Sequence, residues 1–426
     1  MSAKVTRKSR NFLHEIDMVR VVTALSVVAV HVTAFTVFFN TTQFGSEVQN
    51  AAVSALHFTR EVFLSLTALV MVHNYTKRPL KLGTFWRKRG LGVVVPYIIW
   101  SLIYVYVNVP HDPVGNWVHT ALADILSGNA SYQLYYILLT IEFYLALPLL
   151  LWFVIRYRHR PWRVLGISAA LQLALMYFDF NYILTGPLAS THFGQWMNEY
   201  QWRMLPEYQF YVMIGAYAAL YLDELRAFVM RHSMLVVFGL GAGIAALWGR
   251  YAIALNVQHA SMGYATHVFQ PVMVFYSLTA ILFLYWLGCE WATHRSADGL
   301  PYGRRFVTLL SDCSFGIYLI HAFVLNDVLT YVVPRLLLGW PVAIRVFSVW
   351  FIVASITTAI CAVLLYTPGF SRLIGRPSLL PTDFGPWQWT RTRAQQVFAV
   401  SGSGESSRTN SSRKAQSVEE IARAED

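Results

Sequence analysis

The sequence is poor in charge for its length. Of its 426 residues only 13% are charged, whereas 56% are hydrophobic; a soluble domain carries roughly 25% charged residues. This shortage argues against a water-soluble enzyme. Cysteine is also scarce, because Cys289, Cys313 and Cys361 are odd in number and lack metal-ligand spacing. We therefore expect neither a disulfide framework nor a zinc site.

Several common catalytic patterns are absent as well. The chain contains no glycine-rich phosphate loop, no HExxH, no GxSxG and no repeat of fixed period, which argues against P-loop enzymes, zinc proteases of that type and α/β-hydrolases. The net charge of +11 does not indicate nucleic-acid binding, because the basic residues lie in short segments between apolar runs. Topology signals of membrane proteins are distributed in this way.

Long apolar runs dominate the sequence, and ten of them are long enough, or nearly so, to cross a bilayer of about 30 Å hydrocarbon. They cover residues 16–39, 51–74, 93–109, 134–155, 164–178, 205–222, 234–251, 268–289, 306–333 and 343–366. The sequence therefore predicts an all-α integral membrane protein with a single bundle of about ten transmembrane helices.

Basic residues predict the orientation of this bundle. The N-terminal segment and every second connection together hold nineteen Lys and Arg residues, whereas the intervening connections hold two, Arg203 and Arg335, or four with Arg250 and Arg345 at helix edges. The positive-inside rule places both termini in the cytoplasm.

Three regions follow from this division of the chain. We expect a basic cytoplasmic N-terminus (1–15), a polytopic membrane domain (16–366) and a flexible cytoplasmic tail (367–426), because the tail is rich in Ser, Arg, Gly and Glu. The first span is too long for a signal-peptide core, so we expect it to be retained.

Ionisable residues in the first span are candidate functional groups, because charge in a bilayer is costly. Asp17 and Arg20 are three residues apart and can share a helix face near the cytoplasmic end. His31 lies eleven residues after Arg20, so it projects from nearly the same face about 16 Å further along the axis. A polar stripe is predicted. Alternatively, Arg20 is an interfacial anchor and His31 a helix-packing hydrogen bonder.

Other spans place ionisable groups at a comparable depth. These are Arg60 with its neighbours His57 and Glu61, then Glu142, and then His321. Such a layer would suit a buried reaction chamber or a transport pathway. The alternative is a set of structural ion pairs, such as Arg60 with Glu142.

A basic cluster precedes the third span. Arg87, Lys88 and Arg89 follow Phe85 and Trp86, and three adjacent cations beside an indole suit the phosphates and adenine of a nucleotide-like ligand. The same residues would serve equally as a topology signal and a lipid-headgroup anchor.

Five segments carry a resemblance to one family, in the expected order. They are residues 16–31 with Asp17, Arg20 and His31, then 62–75 (VFLSLTALVMVHNY), 85–104 (FWRKRGLGVVVPYIIWSLIY), 135–150 (YYILLTIEFYLALPLL) and 314–321 (SFGIYLIH). Together they resemble acyltransferase family 3, the integral membrane O-acyltransferases of bacterial envelope polysaccharides, over residues 16–366. Two departures occur: residues 65–67 read Ser-Leu-Thr where the family commonly has Ser-Gly-Phe, and residues 92–95 lack a further cation before the proline.

The resemblance implies an enzyme of the bacterial cytoplasmic membrane. It would transfer an acyl group, usually acetyl from cytoplasmic acetyl-CoA, to a hydroxyl of an extracytoplasmic cell-envelope glycan or glycolipid. The expected partners are acyl-CoA, that acceptor and membrane lipid, with no metal and no nucleic acid.

Site roles follow from this expectation. His31 is the predicted catalytic general base, because the imidazole pKa of about 6.5 lies near neutrality. Arg20 would position the donor or stabilise developing charge, with Asp17 orienting it. The remaining predicted residues are Arg87, Lys88 and Arg89 for the CoA phosphates, and Arg60, Glu142 and His321 for the acceptor.

Two other classes of protein share these features. A transporter could use the same charged layer as a proton or polysaccharide pathway, and CoA binding would separate it from the enzyme. A membrane scaffold or sensor would hold the charges only for structure, and its function would survive His31→Ala.

Overall fold

The computed structural model describes residues 13–109, 113–296 and 301–377. Within these ranges every regular element is helical. The α-helices are α1 (His14–Thr36), α2 (Gln43–Leu56), α3 (Thr59–Thr76), α4 (Leu82–Arg89), α5 (Val95–Asn108), α6 (Val114–Ser127), α7 (Tyr135–Arg156), α8 (Pro161–Phe178), α9 (His192–Tyr200), α10 (Gln209–Leu220), α11 (Leu222–Arg231), α12 (Ser233–Asn256), α13 (Met262–Ala265), α14 (Pro271–Ser296), α15 (Pro301–Asp327) and α16 (Val342–Tyr366). Shorter 3-10 helices cover Val37–Phe39, Gln201–Arg203, Leu205–Tyr208 and Phe370–Ile374, and π-helical segments cover Gly90–Val94, Asp179–Leu184 and Val328–Leu337.

In the described part of the chain, nine helical stretches are long and apolar enough to cross a membrane. They are His14–Phe39, Gln43–Thr76, Leu82–Asn108, Tyr135–Arg156, Pro161–Leu184, Ser233–Asn256, Pro271–His294, Gly303–Leu337 and Val342–Tyr366. Each overlaps a span predicted from the sequence. The prediction of an all-α integral membrane protein is therefore confirmed.

The sixth predicted span, 205–222, is shorter in the structure. It consists of the 3-10 helix Leu205–Tyr208 followed by α10. At its start the Tyr208 hydroxyl accepts a hydrogen bond from Arg60, near the beginning of α3 (3.3 Å). Just after its end the Tyr221 hydroxyl donates to the carbonyl of Arg158, just after α7 (2.6 Å). This short helix therefore runs in the same direction as α3 and α7, but it is not among the nine stretches that are long enough to cross a membrane.

Close packing holds this short helix in the bundle. Gly215 of α10 lies against the backbone of α3, where an added Cβ would overlap the carbonyl group of Ser65 and come within 2.7 Å of its carbon atom. Only glycine fits so near a neighbouring backbone. Ser65 opens the segment that departs from the family pattern, and here its main chain forms a helix-helix contact.

The third span begins earlier than predicted. Pro96 lacks an N–H and interrupts regular α-helical bonding, and the Val95 N–H instead donates to the carbonyl of Gly90, five residues back, as in a π-helix. Helices α4 and α5 thereby form one stretch, Leu82–Asn108. The basic cluster 87–89 therefore lies on the spanning helix itself rather than in a preceding loop.

The packed part of the chain extends beyond the predicted end of the membrane domain at residue 366. The 3-10 helix Phe370–Ile374 buries Ser371 and Ile374, and the Trp100 indole donates to the carbonyl of Leu373 (3.0 Å). These contacts attach residues 370–376 to α5 and α15. The basic N-terminal residues 1–12 and the tail residues 378–426 lie outside the described residues.

Helix α1 occupies the interior of the bundle. It packs against α2, α3, α14, α15 and α16, and Val28 and Val32 are fully buried. A helix that is apolar on most sides is buried on most sides. The few polar side chains of α1 must therefore find their partners inside the protein.

Candidate active site

Two predicted polar residues lie at the N-terminal end of α1, against α15. The Asp17 carboxylate is buried and accepts a hydrogen bond from the Ser311 hydroxyl (2.9 Å). Arg20 follows one turn later, is half-buried, and lies within electrostatic range of Asp17 and Asp312. Among the described residues, no hydrogen bond or ion pair engages the Arg20 side chain. Its guanidinium is therefore available to a ligand.

The predicted basic cluster of α4 divides into two parts. Arg87 and Lys88 are exposed, whereas Arg89 is half-buried. The Nη2 of Arg89 donates to the sulfur of Met71 (3.1 Å), and its guanidinium lies 5.0 Å from the ring centre of Tyr144. Neither partner is anionic, and the buried Nε of Arg89 has no hydrogen-bond partner among the described residues. The charge of Arg89 is thus compensated only weakly.

A third arginine joins this group and was not predicted. Arg376 follows the 3-10 helix Phe370–Ile374, forms an ion pair with Asp312 (3.3 Å) and lies within electrostatic range of Arg20. We call Arg20, Arg89 and Arg376, with the carboxylates Asp17 and Asp312, the inner cluster. It has more positive than negative groups and suits an anion. The sequence offered one signal only, a basic residue soon after the last span.

His31 lies between two rings from distant parts of the chain. Its ring centre is 5.2 Å from that of His321 in α15, in a stacked arrangement, and 4.6 Å from that of Tyr132 before α7. His321 is 0% exposed, whereas Tyr132 is 39% exposed. His31 therefore connects a fully buried imidazole with a more accessible phenol, and we call these three residues the outer ring cluster.

The main chain fixes the orientation of His321. Its Nδ1 lies 2.8 Å from the carbonyl oxygen of Tyr318 and 3.1 Å from that of Ile317. Carbonyl oxygens only accept, so Nδ1 carries the proton and Nε2 has the lone pair in the neutral ring. Nε2 is buried without a hydrogen-bond partner among the described residues. This geometry leaves a basic nitrogen beside His31.

Arg60 is enclosed by aromatic rings rather than paired with Glu142. Its guanidinium carbon lies 5.5 to 5.9 Å from three ring centres, those of Trp202, Tyr208 and Phe269. Its acidic neighbour is Glu61, with Nη2 and Oε1 3.6 Å apart. Arg60 is therefore paired with the adjacent Glu61 and not with Glu142, the partner considered from the sequence. Arg60 is also within electrostatic range of His31.

Glu142 has a defined structural partner. Its Oε2 accepts a hydrogen bond from the backbone N–H of Leu205 (2.9 Å), at the start of the 3-10 helix that leads into α10. Carboxylates at helix starts satisfy N–H groups that have no partner within the helix. Glu142 is half-buried, and this bond fixes the chain where it leads into α10.

His267 belongs to the same region and was not predicted. Its ring lies 5.7 Å from Trp202 and 5.9 Å from Phe269, and its Nδ1 accepts from the Phe269 N–H (3.2 Å). Burial and, secondly, the charge of Arg60 lower the pKa of His267 to about 4. The ring is therefore neutral at physiological pH. Its position just before a predicted span concealed it from a search for ionisable residues within spans.

The predicted residues thus form two groups joined by α1. Arg20 and Asp17 lie with Arg89 in the inner cluster, whereas His31 lies with His321 in the outer ring cluster, within range of Arg60. The eleven residues from Arg20 to His31 correspond to about 16 Å of helix. In the described ranges, no group of three or more His, Cys, Asp or Glu side chains could hold a metal ion.

The comparison with protein families identifies the family of the chain. The family model for the acyltransferase domain matches residues 13–367, which include every predicted site residue but not Arg376. No curated protein and no solved structure is significantly similar to the chain. With its apolar spanning helices, the protein is a multi-pass membrane protein. The chain belongs to acyltransferase family 3, and it is an acyltransferase enzyme.

Proposed function

We propose that this enzyme transfers an acetyl group from cytoplasmic acetyl-CoA to a hydroxyl of a cell-envelope glycan or glycolipid on the opposite side of the bacterial cytoplasmic membrane. One observation carries the proposal: a single buried helix, α1, joins a cluster of arginines to a pair of imidazoles about 16 Å away. The arginines would hold the donor, and the imidazoles would act where the acyl group is transferred.

The donor end of this path is basic and accessible. Arg87 and Lys88 are exposed and would meet the CoA phosphates first. Arg89 and Arg20 lie deeper, and their guanidinium groups can bind phosphate oxygens in pairs. Trp86 is half-buried beside them and offers a ring for the adenine. With the phosphates held there, the flexible pantetheine arm would extend along α1 toward His31.

The reacting end would use His31 as the general base. The acceptor hydroxyl attacks the thioester carbonyl carbon while His31 takes its proton. The carbon–sulfur bond then breaks, and the CoA thiolate leaves with the proton returned by the imidazolium. His321 would orient His31 through the stacked ring, and Arg60 would stabilise the negative charge that develops on the carbonyl oxygen.

The acceptor would bind among the aromatic groups of the outer side. Tyr132 is exposed beside His31, and Trp202 is half-buried beside Arg60. Aromatic faces with nearby hydrogen-bonding groups suit sugar rings, which present both C–H faces and hydroxyls. Glu142 would contribute by holding Leu205 and hence the chain segment that follows Trp202.

The test is acetyl-CoA consumption by purified protein in detergent or nanodiscs with a panel of envelope glycans. Wild type should release CoA only with an acceptor, and His31→Ala and Arg20→Ala should abolish this release while remaining folded. His192→Ala is the control, because His192 is exposed at the start of α9. Failure of wild type to bind or consume acetyl-CoA with any acceptor would refute the proposed donor.

A further inference from the structure

Arg376 reaches the inner cluster because the chain folds back after its last span. Ile374 is fully buried, and Gly375 adopts a positive φ of 68°, a conformation that glycine adopts readily. A side chain at Gly375 would also overlap the backbone of Gly92 on the helix of the basic cluster. These contacts hold Arg376 at a fixed place against the membrane domain.

The charges of the inner cluster are incompletely compensated. Arg376 pairs with Asp312 at 3.3 Å, whereas the contacts of Arg89 among the described residues are Met71, Phe85 and Tyr144, and none of these is anionic. Arg20 lies within electrostatic range of both other arginines. Positive charges within electrostatic range of one another repel, and partial burial strengthens this repulsion. An anion bound between them would relieve this repulsion.

We propose, building on the proposed function, that Arg376 completes a phosphate site with Arg20 and Arg89 and binds a phosphate of the acyl-CoA donor. In this site Asp312 holds Arg376 in position and competes with the phosphate for it. Arg376 lies beyond the residues matched by the family model, so the site extends past that boundary. The exposed Arg87 and Lys88 lie outside it and attract the donor from solution.

The first test measures CoA binding to the full-length protein in nanodiscs of phosphatidylcholine, by equilibrium dialysis with labelled CoA. Arg376→Gln should raise the Kd about 10- to 100-fold, the range expected for losing a charged hydrogen bond. Arg372→Gln is the matched control, because Arg372 is exposed on the 3-10 helix that precedes Arg376 and the change removes the same charge. It should leave the Kd unchanged.

A second variant separates binding from structural support. If Arg376 binds phosphate, Asp312→Asn should lower the Kd for CoA, because it removes a competing carboxylate. If the Arg376–Asp312 pair only stabilises the fold, Asp312→Asn and Arg376→Gln should impair binding together, and the proposal is wrong. Turnover with S-acetyl-pantetheine, which has no phosphate, should be equal in wild type and Arg376→Gln; a matching loss there would also overturn it.

The outcomes distinguish this inference from the proposed function. If wild type does not bind CoA, the proposed donor itself is refuted. If wild type binds CoA and Arg376→Gln binds it equally well, only the role of Arg376 is refuted. An anionic lipid is the other source of phosphate: if Arg376→Gln changes binding of phosphatidylglycerol but not of CoA, the site belongs to lipid.

Discussion

Replacement of Gly215 by alanine tests how α10 supports the region around Arg60. An added Cβ would come within 2.7 Å of the Ser65 carbonyl carbon, whereas an ordinary contact begins at 3.4 Å. Helices α3 and α10 must therefore separate by at least about 0.7 Å if the contact is to be relieved. The obstacle is backbone, which cannot rotate away as a side chain can.

The expected cost follows from this geometry. Overpacking typically costs about 1–3 kcal/mol, and we expect the upper end here because two helix backbones must move. The separation also disturbs the hydrogen bond from Arg60 to Tyr208 (3.3 Å). Acyl transfer should therefore fall through a raised KM for the acceptor, whereas CoA binding in the inner cluster should be unchanged.

Thermal unfolding in detergent, followed by size-exclusion chromatography, measures the stability of this variant. Gly241→Ala is the control, because Gly241 lies within α12 with nothing within 4 Å of its added Cβ. That change should be neutral or stabilising by up to about 1 kcal/mol, since alanine favours helix more than glycine does. If Gly215→Ala unfolds at the wild-type temperature, the close packing of α10 on α3 is refuted.

Five further variants test four individual residues. His31→Ala should lower kcat by about 100- to 10,000-fold, the usual contribution of a general base, and His321→Ala should shift the pH profile of kcat; an unchanged kcat in the first variant would exclude the base role. Glu142→Ala should lower the free energy of unfolding by about 1 kcal/mol, because it removes the hydrogen bond to the Leu205 N–H. Glu142→Gln keeps an accepting oxygen and should have a smaller effect. Equal melting temperatures for wild type and both variants would contradict this role. The pKa of His267 is lowered to about 4 in the folded protein, whereas the usual histidine pKa is about 6.5. Between these two pH values the unfolded chain binds more protons than the folded protein, so the free energy of unfolding falls as the pH falls from about 6.5 toward 4. His267→Gln should therefore lose less stability than wild type between pH 7 and pH 5.

Much of the fold follows from hydropathy and helical periodicity. The interior position of α1 follows from a sequence that is apolar on nearly every face. The spacing of Arg20 and His31 follows from helical periodicity. The stretch 205–222 was predicted as a span, whereas the helix in it is shorter than the nine stretches that are long enough to cross a membrane. The start of the third span was misplaced, because hydropathy places the basic residues 87–89 outside a helix that in fact includes them.

Hydropathy and helical periodicity do not predict which side chains of different helices contact one another. His321 stacks on His31 from 290 residues away along the chain, and periodicity within one helix carries no information about its neighbour. The Arg60 partner was misjudged for the same reason. Glu142 was considered as the partner of Arg60 because the two residues lie at a similar depth in the membrane. In the structure the Glu142 carboxylate accepts from the Leu205 N–H, and the partner of Arg60 is the adjacent Glu61.

The path between the two clusters bears on how the protein works. On the face of α1 that joins Arg20 to His31, the intervening residues are Ala24 and Val27, and both are buried and apolar. The nearby Thr23 hydroxyl donates back to the carbonyl of Val19 (2.6 Å). The predicted polar stripe is therefore two polar ends with an apolar middle. A free ion would find no polar partner on this stretch of α1, whereas an acyl group on a thin carrier can pass an apolar surface, and this difference favours group transfer over ion transport.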